Sequence, residues 1–124
     1  MKKIITQKAP EAIGPYSQAI EHNELIYISG QLPLNPETGE FAEGGVDELT
    51  RQSMKNIEAI LLKAGSSLDK ILKTTIYVQD LNDFAVINEA YGSFFGDPAP
   101  ARACVEVARL PKGARLEIEA VAYK

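Results

Sequence analysis

The feature that most constrains the fold is a pair of alternating stretches near the end of the chain, each carrying charge on one side. The first runs Pro98-Ala99-Pro100-Ala101-Arg102-Ala103-Cys104-Val105-Glu106-Val107-Ala108-Arg109-Leu110-Pro111, and the second contains Leu116-Glu117-Ile118-Glu119-Ala120. Successive side chains of a strand point to opposite faces. Ala103, Val105 and Val107 therefore share one face of the first strand, with Arg102, Cys104 and Glu106 on the other. On the second strand Leu116, Ile118, Ala120 and Ala122 oppose Arg115, Glu117 and Glu119. An arginine that opens a mostly apolar strand needs an anion, because a desolvated guanidinium without one is costly. Its planar fork suits a carboxylate held by two parallel hydrogen bonds. A protein acid, with Glu106 or Glu119 in reach, or an acidic ligand fills that role.

The rest of the chain supplies the other elements of an α+β domain. Lys3 to Thr6 reads as a short strand, and the proline- and glycine-bearing stretch Ala9 to Tyr16 as an ordered loop. Ser17 to Glu21 and Leu25 to Ser29 read as strands joined at His22-Asn23-Glu24, followed by a loop with a turn at Asn35-Pro36-Glu37-Thr38-Gly39. Val46, Leu49, Ser53, Ile57, Ile60, Leu61 and Ala64 recur at helical spacing, which predicts a helix over 46–64 ended by Gly65. Ile71 to Val78 is a short buried strand. A second helix is expected over about 82–95, capped by Asp80 or Asn82 and stopped by Gly96, with Phe84, Ile87, Tyr91 and Phe94 on its apolar face and Asn88 beside Phe84. Arg102–Ala108 and Arg115–Tyr123 close the fold, with no linker or repeat to divide residues 1–124 into more than one domain.

Composition excludes several functions. With a net charge of −4 and no basic run, phosphate neutralisation is a poor basis for partnership, so nucleic acid is not an expected ligand. Cys104 is the only cysteine and His22 the only histidine, which leaves no disulfide and no basis for a structural zinc site. The basic N-terminus lacks the apolar stretch of a signal peptide, and no run approaches spanning length, so no membrane and a cytoplasmic location are the default.

If the helices cover the apolar faces of the last two strands, Arg102, Cys104 and Glu117 all point away from them. That second face also carries Val121 and Tyr123, and Ile76 or Tyr77 contributes to it, which suggests cover by another chain. Pairing the two strands as a hairpin around Lys112-Gly113 would put Glu117 opposite Ala108, roughly 13 Å along from Cys104. Either that hairpin does not form, or residues meet across a subunit boundary; the second alternative is favoured. Each residue also has a plain structural use: an ion pair for Arg102, inert packing for Cys104, solvation for Glu117, a backbone cap for Asn88, and turn chemistry for Tyr16 and Ser29.

Four segments carry a resemblance that changes the weighting. They are Ala12-Ile13-Gly14-Pro15-Tyr16-Ser17-Gln18-Ala19; Ser29-Gly30-Gln31-Leu32-Pro33-Leu34-Asn35-Pro36-Glu37-Thr38-Gly39-Glu40; Lys73 to Phe84 with Asn88 and Tyr91; and Pro100 to Pro111 with Glu117. In this order, spanning nearly the whole chain, they resemble the RidA family, the YjgF-type reactive intermediate deaminases. The resemblance implies a chorismate-mutase-like fold: a mixed six-stranded sheet with two helices on one face, assembled as a homotrimer around a central barrel with clefts between subunits. It further implies hydrolysis of 2-imino acids such as 2-iminobutanoate and 2-iminopropanoate, and of their enamine tautomers, released by pyridoxal-phosphate enzymes. The products would be 2-oxo acids and ammonia, and the enzyme itself would need no cofactor or metal. In that reading Arg102 holds the substrate carboxylate, and Glu117 and the Cys104 carbonyl orient water. Tyr16 moves a proton to nitrogen, while Ser29, Gly30 and Asn88 line the cleft. The other readings are a non-catalytic ligand-binding or regulatory module and, more weakly, a translation-inhibiting ribonuclease.

Overall fold

The computed structural model describes residues 1–124. Two short strands, β1 (Lys2–Ile4) and β2 (Ala19–His22), precede β3 (Leu25–Gln31). Helix α1 (Val46–Lys63) leads to β4 (Ile71–Val78), helix α2 (Phe84–Gly92) to β5 (Ala101–Glu106), and β6 (Leu116–Tyr123) ends the fold. The six strands form one sheet in the order β1-β2-β3-β6-β4-β5. All neighbours are antiparallel except β4 and β5, so this is the expected mixed sheet with its two helices.

Local chemistry accounts for the elements. The β2–β3 turn puts Asn23 and Glu24 at φ of 50° and 66°, the left-handed geometry that matches the twist of a two-residue hairpin. Along α1 the predicted stripe is buried, with Ile57, Ile60 and Leu61 fully inaccessible and Met54, outside the predicted set, equally so, and Asp47 and Glu48 lie in the favourable first turn. Gly65 ends the helix at φ +79°, while the Ser66 amide reaches back to the Leu61 carbonyl at 2.8 Å.

Helix α2 is shorter than its sequence pattern. Asp80 does cap, its carboxylate accepting from the Asn82 amide at 2.8 Å, but it caps a 3₁₀ turn over Leu81–Asp83 that precedes the α-helix. The α-helix then stops at Gly92 rather than Gly96, where the Ser93 hydroxyl donates to the Ala90 carbonyl at 2.6 Å.

The core lies between the helices and one face of the sheet. Ile26 and Ile28 of β3, Ile76 and Val78 of β4, and Leu116, Ile118, Ala120 and Ala122 of β6 meet α1 and the Ile87 and Tyr91 side of α2. Each large side chain so buried contributes about 1.5–3 kcal/mol.

Two expectations for the last strands need correction. The hairpin around Lys112-Gly113 does not form: β4 stands between β5 and β6, pairing parallel with β5 and antiparallel with β6. The intervening α2 makes β4–α2–β5 a crossover, which brings parallel strands together. The faces of β5 are also the reverse of those expected. Its register sets Arg102 beside Thr74, Cys104 beside Ile76 and Glu106 beside Val78, three residues on the helix side of β4. Arg102 and Cys104 therefore turn toward α2, and Ala103 and Val105 turn outward. For β6 the faces are as expected.

Candidate active site

The outer face of the sheet carries the first group of polar residues. A register shift between Ile28 and Gln31 puts a bulge in β3 at Ser29 and Gly30. Gly30 is required there by contact: a Cβ added to it would lie 2.7 Å from the Glu117 Cδ, so the carboxylate rests against bare backbone. The Ser29 hydroxyl donates to the Ser17 carbonyl at 2.6 Å, and the Gln31 side chain donates to the Ser29 carbonyl at 3.0 Å. These ties draw the loop bearing Tyr16 against β3. A cleft of about 550 Å³ opens between them, lined among others by Ile13, Tyr16, Ser29, Gly30, Lys112 and Glu117.

Glu117 is half-buried, and burial pushes its carboxyl above the ordinary range, with the Glu119 carboxylate two residues on adding to the effect. The Tyr77 hydroxyl donates to Glu119 at 2.9 Å. A base held in this way keeps more affinity for a proton than a solvated glutamate.

The second group sits on the helix side of the edge strand. Helix α2 presents Phe84, Asn88 and Tyr91 at a spacing that aligns them, and Arg102 lies across them. Its guanidinium carbon is 5.4 Å from the Phe84 ring centre and 5.2 Å from that of Tyr91, and its Nη1 donates to Asn88 Oδ1 at 2.6 Å. Tyr91 is fixed in turn by a 2.6 Å hydrogen bond between its hydroxyl and that of Thr74. Neither Glu106 nor Glu119 pairs with Arg102: Glu106 accepts from the Leu81 amide at 3.0 Å and Glu119 is held by Tyr77. Asn88, for which a backbone cap was an option, serves the arginine instead. Cys104 packs against the core, and burial raises its thiol pKa while Arg102 pulls it back, which is poor preparation for a nucleophile.

The structure thus brings together Tyr16, Ser29, Gly30 and Glu117, and separately Arg102, Asn88 and Cys104. It does not bring the two groups together, because they lie on opposite faces of the sheet with β4 between their strands. The sequence reading put Arg102, Cys104 and Glu117 on one face; the parallel register of β5 is the reason they are not. The spacing of Phe84 and Tyr91 about Asn88 predicts core packing, whereas in the structure both rings also support the arginine. No three side chains of histidine, cysteine, aspartate or glutamate converge as a metal site would require.

A fixed arginine with only neutral partners, and a half-buried glutamate in a cleft, are groups suited to holding a small carboxylate and to acid–base chemistry. The chain belongs to the endoribonuclease L-PSP family, the RidA or YjgF proteins: that family's sequence profile matches residues 6–124. It is 50% identical over 123 residues to a mouse protein named 2-iminobutanoate/2-iminopropanoate deaminase, covering 99% of this chain and 91% of the relative. The crystal structure of Escherichia coli TdcF with bound serine superposes with a TM-score of 0.95 at 47% identity, covering 100% of this chain and 98% of that one. RidA from the Antarctic bacterium Psychrobacter superposes with a TM-score of 0.95 at 46% identity, covering all of both chains.

Proposed function

We propose that this protein is a 2-iminobutanoate/2-iminopropanoate deaminase, a C–N hydrolase converting 2-imino acids and their enamine tautomers to 2-oxo acids and ammonia. The observation that carries the reading is the state of Arg102: stacked on two rings, bonded to a neutral amide, and left without a carboxylate. That is a prepared seat for a substrate carboxylate. The roughly 50% identity to a deaminase over nearly the whole chain names the substrate class.

The iminium carbon is already electrophilic, so the protein has to position water and move protons. Glu117 takes a proton as the water oxygen bonds to that carbon, giving a carbinolamine. Tyr16 donates to the nitrogen, the C–N bond breaks with its electron pair leaving on ammonia, and the remaining hydroxyl passes its proton back to the Tyr16 phenolate as the carbonyl forms. The Cys104 carbonyl helps orient the water, and Ser29, Gly30 and Asn88 shape the cleft.

A small substrate cannot touch Arg102 and Glu117 of one chain, since the sheet separates them. The half-sites become one site when the outer face of one copy meets the edge strand of another. That outer face exposes Tyr27 at 48%, Val105 at 42% and Tyr123 at 42%, apolar surface suited to such cover. A cyclic homotrimer with three such clefts satisfies every copy alike. No helix is long and apolar enough to cross a membrane, and action in the cytoplasm beside the enzymes that release imines fits this reading.

Against a ribonuclease, the chain carries a net charge of −4 and a single histidine. The test couples the purified protein to a threonine dehydratase and follows 2-iminobutanoate. Loss faster than in buffer supports the deaminase; loss at the buffer rate, with binding of a small carboxylate retained, indicates the non-catalytic module.

A further inference from the structure

We propose that Gln18 is a positioning residue for Tyr16, its buried side-chain amide fixing the loop that carries the tyrosine into the cleft. The proposal rests on the deaminase reading above, in which Tyr16 serves the nitrogen. Between β1 and β2 the backbone runs without regular structure, and its one internal backbone bond joins the Tyr16 amide to the Gly14 carbonyl at 2.9 Å. The order of this segment has to come from elsewhere.

Gln18 supplies it. The residue is only 4% exposed, and both side-chain polar atoms are engaged with the loop. Oε1 accepts from the Thr6 amide at 2.8 Å; Nε2 donates to the carbonyls of Thr6 at 3.0 Å, Pro10 at 2.8 Å and Ala9 at 3.3 Å. Three carbonyl oxygens converging on one nitrogen demand a donor, so a glutamate of the same shape would meet them with repulsion. The Gln18 backbone closes the link to the site, its carbonyl accepting from the Ser29 amide at 3.0 Å. One residue thus joins the start of the Tyr16 loop to the bulged strand beside Glu117, and it also lines the cleft itself. Tyr16, by contrast, is 54% exposed, so its own packing does little to aim it.

The test is a double-mutant cycle of Gln18→Met and Tyr16→Phe in the full chain, read as kcat and KM for 2-iminobutanoate. Hydrogen exchange of amides 6–17 and a melting curve accompany it. We expect Gln18→Met to lower kcat by about 10²-fold, the cost of a misplaced catalytic group, with KM little changed because the Arg102 half is untouched. Tyr16→Phe should then add almost nothing, and amides 6–17 should exchange faster than in the parent. Additive losses, or amides as protected as in the parent, overturn the proposal. Should Gln18→Met fail to fold, Gln18→Glu takes its place with the same expectations. Failure of both to fold overturns the proposal too, making Gln18 a folding residue. A parent without deaminase activity fails the functional reading instead, and exchange of amides 6–17 then still decides whether Gln18 anchors the loop.

Discussion

Strands β5 and β6 carry the same alternation of apolar and polar residues, yet β6 turns its apolar set to the helices and β5 turns its own away. Their places in the sheet explain the difference. β6 lies between β3 and β4 under α1, so Leu116, Ile118, Ala120 and Ala122 are the residues that must be dry. β5 is an edge strand, and its parallel register with β4 delivers Arg102 to the exposed flank of α2. Alternation defines two faces; the neighbouring strand decides which becomes core. On the proposed function, the two strands would then hold opposite halves of the chemistry, the carboxylate seat on β5 and the base on β6.

Removing the seat should have the largest effect. Arg102→Ala is expected to abolish imine hydrolysis while the melting temperature stays near the parent's, because Arg102 lies outside the core. Each hydrogen bond to a charged group contributes about 1.5–3 kcal/mol, and Arg102→Lys should recover little because an ammonium lacks the fork. An early melting transition with turnover retained would make Arg102 structural and dissolve the contrast between the strands.

The β6 half can be disturbed without replacing Glu117 itself. Gly30→Ala pushes a methyl into the space of Glu117 and should lower kcat by about 10²-fold through misplacement alone. Unchanged kinetics would show that Glu117 is free to move and that the bulge serves some other purpose.

The two halves should also differ in pH response. Burial raises the Glu117 carboxyl, so the acid limb of kcat/KM should lie above the ordinary carboxylate value of 4.5. The folded chain then holds that proton more tightly than the unfolded one. Stability from this group is present in full below 4.5 and declines as pH rises through the raised folded value. Glu117→Gln should flatten that decline; a decline that persists in the variant assigns it to another group. Cys104→Ser should have the smallest effect, since the proposed role belongs to the backbone carbonyl and not to the thiol. A loss as large as that from Glu117→Gln would bring the thiol into the mechanism.

Much of the fold is legible in the sequence. The stripe from Val46 to Leu61, the stop at Gly65, the strand Ile71–Val78 and the faces of β6 follow from local periodicity, which tertiary structure here reinforces. The motifs around Tyr16, Ser29, Arg102 and Glu117 mark these residues as candidates, but their division between the two faces of the sheet is not legible in them. What local pattern does not encode is which strands pair. Neighbouring strands in sequence suggested a hairpin, whereas the strand–helix–strand order of β4, α2 and β5 was the available signal for a parallel crossover. The contacts of Phe84 and Gln18 are hidden in the sequence for a related reason. An apolar residue on a helix face and an amide in a loop look ordinary until their distant partners are in place.

The claim that β5 and β6 of different copies complete one site is tested most directly by mixing two inactive variants, Arg102→Ala and Glu117→Gln. Each keeps the half that the other lacks. Co-expressed in equal amounts and assembled at random, they should regain about a quarter of the parent's deaminase activity, because half the clefts receive an intact Arg102 and half of those an intact Glu117. No recovery from fully mixed oligomers would place both residues in one chain's site and contradict the account.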